Sequence, residues 1–202
     1  MAKLKVAVFA SGQGTNFQAL ADAVEAGRLD VTIGLLVCDK PSAPVAERAR
    51  CAGVESWLFS PKEYASREAY ETEILAELQR RGIELIVLAG YMRILTPVLV
   101  EPYYGRMINI HPALLPSFPG INGIRQALEY GVKLTGVTVH YVDGGMDSGP
   151  IIAQRAVEVA DGDTEDSLEQ RIHAAEQVLL PWVVQQIAEG RVKLDGRKVT
   201  IG

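Results

Sequence analysis

The chain has 202 residues, of which 48% are hydrophobic and 22% are charged, and its net charge at pH 7 is −5. This composition fits one globular domain with a sizeable core, so we expect a single domain over residues 1–202. The negative charge and the scattered basic residues argue against a nucleic-acid-binding surface. The apolar run near the N-terminus has the length of a strand and is unlike a signal peptide or a membrane span, which favours a cytoplasmic protein without a membrane partner.

The first predicted strand, residues 5–10, runs into the loop Ser11-Gly-Gln-Gly14-Thr15-Asn16, which precedes the first predicted helix. Backbone N–H groups and the positive end of a helix dipole favour an anion at such a place, and a phosphate is the natural ligand. Thr15 and Asn16 add side-chain donors. A plain turn that needs glycine only for its geometry stays an alternative. A dinucleotide-binding fingerprint is incomplete, because Phe17 replaces its third glycine.

Strand-like runs then alternate with helical patterns through the first half of the chain. The predicted strands are residues 5–10, 32–37, 55–58, 85–89 and 107–110. Strands separated by helices imply right-handed crossovers, so we predict an α/β fold with a doubly wound, mostly parallel, Rossmann-like sheet.

Two Ser/Thr-Pro pairs predict helix starts, and the spacing of the two cysteines predicts their chemical state. Ser60-Pro61-Lys62-Glu63 combines a cap, a proline in the first turn and a glutamate that reaches back, and Thr96-Pro97 repeats the cap and the proline. Cys38 and Cys51 show no metal-ligand spacing, so we predict two reduced thiols in or near the core. No metal ion is expected.

The pattern changes in the second half. Residues 135–142 and 150–157 are rich in strand-forming residues, and 192–194 and 198–201 flank the turn signal Asp195-Gly196. This region therefore adds antiparallel strands to the fold. Residues 166–189 predict a long amphipathic helix with a possible kink at Pro181. Its apolar face is predicted to consist of Leu168, Ile172, Ala175, Val178 and Leu179.

Three side chains suit the transfer of an acyl group to an amine. Asn109 and His111 are two residues apart in a predicted strand, so both point to the same face. The Asn109 amide can donate to a developing oxyanion, and His111 can donate or shuttle a proton. Asp147, in a glycine-rich loop, can orient the imidazole or take the proton that the amine loses.

These motifs resemble those of the folate-dependent formyltransferases. Asn109-Ile-His111-Pro112 followed by Leu-Leu-Pro-x-Phe-x-Gly matches the signature of that family. The resemblance extends over nearly the whole chain, through residues 11–20, 66–71, 88–95, 109–120, 135–154 and 171–181. It implies a formyltransferase fold and an enzyme of purine biosynthesis. The implied reaction moves the formyl group of 10-formyltetrahydrofolate, a co-substrate, to the amine of glycinamide ribonucleotide.

The resemblance also assigns residues to the two substrates. It places the substrate phosphate on Gly14, Thr15 and Asn16, with Arg67 as an additional contact, and the glycinamide part on Glu176. It assigns the folate to backbone groups of two segments. These are Met92, Arg93, Ile94 and Leu95 in one, and Val142, Asp143, Gly144, Gly145 and Met146 in the other. From the residues alone, Glu176 is typical of a solvated helix surface, and His140 in an alternating strand is interpreted as structural.

Alternative functions stay open at this stage. Methionyl-tRNA formyltransferase carries an added RNA-binding domain and formyltetrahydrofolate deformylase an added regulatory domain, so the length of this chain favours transfer to the ribonucleotide. A nucleotide-binding module without chemistry would leave Asn109, His111 and Asp147 unexplained. The chain also has Asn122 where many family members carry His or Asp, and since Asn does not titrate we predict a positioning role for it. A monomer and a homodimer are both compatible with the sequence.

Overall fold

The computed structural model describes residues 2–202. Its strands are β1 (Leu4–Phe9), β2 (Val31–Cys38), β3 (Ser56–Leu58), β4 (Leu85–Leu88), β5 (Met107–His111), β6 (Leu134–Tyr141), β7 (Ile151–Glu158), β8 (Val192–Asp195) and β9 (Lys198–Ile201). Its α-helices are α1 (Thr15–Glu25), α2 (Pro44–Cys51), α3 (Arg67–Arg81), α4 (Pro97–Val100), α5 (Gly123–Tyr130) and α6 (Glu165–Ala188). Every predicted strand is present, with ends within two residues of the prediction.

The larger sheet has seven strands in the order β3-β2-β1-β4-β5-β6-β7 and is mostly parallel. The pairs β1–β2, β1–β4 and β2–β3 are parallel, whereas β6 and β7 are antiparallel. Strands β8 and β9 form a separate antiparallel pair. The predicted α/β class with added antiparallel strands is therefore confirmed. In the described part of the chain, no helix is long and apolar enough to cross a membrane.

The chain divides into two compact units, one through Ile108 and the other from Asn109 to Gly202. The single domain expected from the composition stays a prediction. In the first unit, β1 and β4 are buried along almost their whole length, and Phe9, Phe17 and Ile74 are fully enclosed. Because helices cover both faces of a parallel sheet, its strands are apolar throughout rather than alternating.

The second unit is built on the β6–β7 hairpin and the long helix α6. Thr164 caps α6, since its hydroxyl accepts from the Ser167 N–H and the Ser167 hydroxyl accepts in return from the Thr164 N–H. The helix continues through Pro181, so the suggested kink does not end it. The predicted apolar face is correct for Leu168, Ile172, Ala175 and Leu179 but wrong for Val178, whose side chain is exposed.

Two further local predictions are wrong. Ser60 begins only a three-residue 3-10 helix, Pro61–Glu63, and its side chain makes no capping bond. The next helix, α3, starts later, where the Ser66 hydroxyl accepts from the Ala69 N–H.

Cys38 is a free buried thiol as expected, but Cys51, the last residue of α2, is free and exposed. Thr96 does cap α4, with Pro97 in its first turn, as predicted.

Candidate active site

The loop between β1 and α1 leaves the start of the helix open to a ligand. Gly14, the N-cap of α1, has φ +72°, and its position provides no side-chain cap. A Cβ atom there would lie 2.4 Å from Val45 Cγ2, so close packing against α2 requires glycine. The first turn of α1 contains no acidic residue. The positive end of the helix dipole therefore lies at this loop, and the binding of a phosphate there stays a prediction.

Arg67 lies at the first position of α3. Its Nη1 donates to the carbonyl oxygen of Ile94 at 3.3 Å. The structure therefore places Arg67 beside a segment assigned to the folate, and its contact with the substrate phosphate stays a prediction.

The segment Met92–Leu95 follows β4 at the carboxyl edge of the parallel strands, where ligands of such sheets commonly bind. Two of its three apolar side chains face solvent, with Met92 68% and Ile94 63% exposed, and Leu95 is half-buried. Buried residues fix the same segment in place, because the Met92 N–H donates to Ser11 Oγ and Arg93 pairs with Asp39. Exposed apolar side chains on a fixed backbone favour ligand contact over core packing.

The second unit brings Asn109, His111 and Asp147 together. His111 Nδ1 lies 3.5 Å from Asp147 Oδ2, and Asn109 Nδ2 lies 3.4 Å from Asp147 Oδ1. The two residues of β5 thus share one carboxylate, as their spacing predicts. His111 Nε2 is 2.8 Å from the carbonyl oxygen of Phe118. Both neighbours of the His111 ring are acceptors, so a ring with a hydrogen on each nitrogen satisfies both.

His140 belongs to the same cluster, although the sequence analysis interpreted it as structural. Its Nδ1 donates to the carbonyl oxygen of Tyr141 at 2.8 Å. In the neutral ring Nε2 is then an acceptor, and it lies 3.2 Å from Asn109 Nδ2. The distance from His140 Nε2 to Asp147 Oδ1 is 3.6 Å. Strand β6 is buried on both faces, so its sequence pattern gives no signal for the direction of His140.

The environment of Asp147 keeps its carboxylate charged. Partial burial by itself raises the pKa of Asp147. The hydrogen bond from the Gly120 N–H at 2.7 Å and the positive charge of His111 act in the opposite direction and help to hold the pKa of Asp147 below its ordinary value. A carboxylate with a lowered pKa suits the orientation of an imidazolium better than the donation of a proton.

The loop from Val142 to Met146 connects β6 and β7. Asp143 Oδ1 accepts from the Gly145 N–H at 2.9 Å and from the Ser148 hydroxyl at 2.7 Å, which closes the loop on itself. Gly144 and Met146 are exposed at its tip. The loop therefore presents backbone groups next to Asp147 without a core of its own.

Two other singled-out residues lie in the second unit. Glu176 on α6 is buried, with only 5% of its surface exposed, whereas its position in the helical pattern suggests a solvated side chain. His173 Nε2 lies 4.0 Å from its carboxylate. Burial of a carboxylate on a helix fits a binding role better than a surface role. Asn122 is the N-cap of α5 with φ +60° and makes no side-chain capping bond. Asn is among the few residues other than glycine that tolerate this backbone region.

Comparisons with known proteins agree on one family. The formyl transferase family model matches residues 4–184. The chain is 50% identical over 183 residues to the phosphoribosylglycinamide formyltransferase of Bacillus subtilis, covering 91% of this chain and 94% of that protein. The crystal structure of glycinamide ribonucleotide transformylase 1 from Symbiobacterium toebii superposes with a TM-score of 0.96 at 43% identity, covering 98% of this chain and 94% of that one. The corresponding structure from Geobacillus kaustophilus has a TM-score of 0.90 at 53% identity, covering 92% and 99%.

Proposed function

The chain belongs to the formyl transferase family and is an enzyme that formylates glycinamide ribonucleotide in purine biosynthesis, and we propose how its residues carry out this transfer. The donor is 10-formyltetrahydrofolate, a co-substrate, and no step requires a metal ion. The observation that carries the proposal is the meeting of Asn109 and His111 on Asp147. The other reactions considered for this family are not favoured by the relatives found.

The bond changes define what the residues must do. The substrate amine attacks the formyl carbon, a C–N bond forms, and the formyl oxygen becomes an oxyanion. The C–N bond to N10 of the folate then breaks, one proton leaves the amine and one proton arrives at N10. The protein must therefore stabilise one negative charge and move one proton.

Asn109 and His111 meet the first requirement. Of the two amide hydrogens of Asn109, the one directed to Asp147 makes the longer contact, 3.4 Å, and we assign this hydrogen to the oxyanion. His111 has to exchange the Phe118 carbonyl for the oxyanion, since that carbonyl occupies Nε2. Preorganised donors of this kind contribute on the order of 10²–10³ in rate each.

Asp147 meets the second requirement. Its charge stabilises protonated His111, and we assign to a water molecule bound by its carboxylate the transfer of the amine proton toward N10. We assign the substrate phosphate to Gly14, Thr15 and Asn16, with Arg67 as a further contact, and the glycinamide part to Glu176. The folate is assigned to the backbone of Met92–Leu95 and of the loop from Val142 to Met146. Binding both substrates together supplies much of the remaining rate enhancement.

The test is a two-substrate assay on the purified chain. With 10-formyltetrahydrofolate and glycinamide ribonucleotide, we expect formylated ribonucleotide and tetrahydrofolate in equal amounts, and His111→Ala to lower kcat by about 10²-fold or more. Without the ribonucleotide, no formate should be released. Formate release at the full rate without the amine would identify a hydrolase, and near-normal turnover of His111→Ala would overturn the residue assignment.

A further inference from the structure

Three buried side chains form hydrogen bonds to the segment Met92–Leu95 or to the residue that follows it. The first is Ser11, which is 2% exposed. Its Oγ accepts from the Met92 N–H at 2.9 Å, and its own N–H donates to the carbonyl oxygen of Gly90 at 3.1 Å. Ser11 thus fixes the beginning of the segment with one bond on each side of Tyr91.

The second is Asp39, which follows β2. Its side chain is 1% exposed, and its Oδ2 accepts from Arg93 Nε at 2.7 Å. Among the described residues, its Oδ1 has no hydrogen-bond partner. A buried carboxylate with one charged partner strongly favours the geometry in which that partner is present, because the unpaired charge is costly to bury. Asp39 therefore restrains Arg93.

The third is Glu71 on α3, which is completely buried. Its carboxylate accepts from the Thr96 N–H at 3.0 Å and from the Thr96 hydroxyl at 2.5 Å. Thr96 in turn caps α4 through the Val98 N–H. Glu71 thus fixes the position at which the segment ends and the next helix begins.

We propose that Ser11, Asp39 and Glu71 are positioning residues that hold Met92–Leu95 in the conformation that binds the folate. The proposal rests on the assignment of this segment to the folate, made above. Because Met92 and Ile94 are exposed, the segment gains little order from the packing of its side chains, and hydrogen bonds to buried residues supply that order. A backbone that is already ordered loses less conformational entropy when a ligand binds, which lowers the dissociation constant.

The decisive variant is Asp39→Asn, which keeps the size of the side chain and removes its charge. We expect the KM for 10-formyltetrahydrofolate to rise about tenfold, with kcat and the KM for the ribonucleotide within about twofold of the original values. Glu101→Gln makes the same charge change at an exposed position after α4 and should leave all three constants unchanged.

A double variant shows whether Asp39 acts through Arg93. If it does, Asp39→Asn should raise the folate KM in the original protein but add less than about twofold in the Arg93→Ala background. Equal increases in both backgrounds would mean that Asp39 does not act through Arg93 and would overturn its role.

A third measurement does not depend on activity. Ser11→Ala removes the acceptor for the Met92 N–H, so hydrogen exchange at Met92 in the ligand-free protein should become faster, whereas exchange in β1 should not change. If Asp39→Asn fails to fold, Ser11→Ala still tests the proposal. An unchanged exchange rate together with an unchanged folate KM in Ser11→Ala would overturn the proposal. Failure of the proposed function is separate, because it would appear as absence of transfer by the unmodified protein.

Discussion

Asp147 lies at the centre of the cluster that we propose to be catalytic. Each of its carboxylate oxygens faces two groups. Oδ1 faces Asn109 and His140, and Oδ2 faces His111 and the Gly120 N–H. A side chain with four neighbours has little freedom to reorient, so the donors that meet it are held in fixed directions, as electrostatic preorganisation requires.

His140 is expected to act through Asn109 and not on the substrate. In His140→Ala the Asn109 amide loses its 3.2 Å partner, so we expect kcat to fall about tenfold while both KM values stay within about twofold. His140→Gln keeps an acceptor and should recover part of the rate. Steady-state kinetics of the two variants check this, and an equal loss in both would show that the imidazole itself is needed.

Asn122 offers a second test at the scale of one residue. Asn122→Asp keeps a side chain that tolerates the φ of +60° but adds a titratable group. The prediction is that the pH profile of kcat/KM changes more than the maximal rate. Restoration of an inactive natural protein by Asn122→Asp or Asn122→His would instead make position 122 catalytic.

Helices α1 and α3 start in different ways. The hydroxyl of Ser66 caps α3, which also has Glu68 in its first turn. Helix α1 starts at Gly14 with no side-chain cap and no acid in its first turn. The Ser66 hydroxyl satisfies one N–H group at the start of α3, whereas α1 has no such cap, and this difference supports the proposed binding of a phosphate at α1.

Thr15→Glu places a negative charge at the open start of α1. Repulsion of the substrate phosphate should raise the KM for glycinamide ribonucleotide at least tenfold, with little change in the KM for the folate. Ala26→Glu adds the same charge at the exposed far end of the helix and serves as the control. Loss of both substrates to the same extent, or of neither, would argue against a phosphate at this loop.

Ser66→Ala tests the corrected start of α3. Loss of the bond to the Ala69 N–H should lower the free energy of unfolding by about 1 kcal/mol. Ser60→Ala, at the position where the sequence predicts a cap and no capping bond exists, should change it by less than about 0.5 kcal/mol. Urea titrations of both variants measure the difference, and the reverse order of effects would contradict the assigned cap.

At the scale of the whole molecule, stability is linked to pH through buried carboxylates. Burial raises the pKa of Glu71, and the hydrogen bonds from Thr96 only partly offset it. A folded-state pKa above the unfolded value means that the folded protein binds the proton more tightly. The contribution of Glu71 to stability is therefore complete below its unfolded pKa of about 4.3 and is lost as the pH rises through the folded value.

Glu71→Gln should accordingly reduce the loss of unfolding free energy as the pH rises above about 4, because the amide does not titrate. Urea unfolding followed by tryptophan fluorescence at several pH values measures the slope. Glu101→Gln, a carboxylate that faces solvent, should keep the slope of the original protein. Identical slopes for Glu71→Gln and the original protein would show that Glu71 does not contribute to the pH dependence.

The sequence by itself determined the class of fold and the common direction of Asn109 and His111. Strands of a parallel sheet can be predicted from apolar runs because the sheet is covered on both faces. The spacing of Asn109 and His111 in a strand sets the common direction of their side chains. The role of Gly14 can also be predicted locally, because glycine permits the positive φ that this position adopts.

Only the tertiary structure decided which distant side chains meet. The contacts of His140 with Asn109, of Asp39 with Arg93 and of Glu71 with Thr96 join residues 31, 54 and 25 positions apart. Such pairs have no local periodicity, because the path of the chain between them sets the distance. Val178 is exposed for the same reason. The apolar periodicity of α6 defines one face of the helix, but the packing around α6 decides how much of that face is buried.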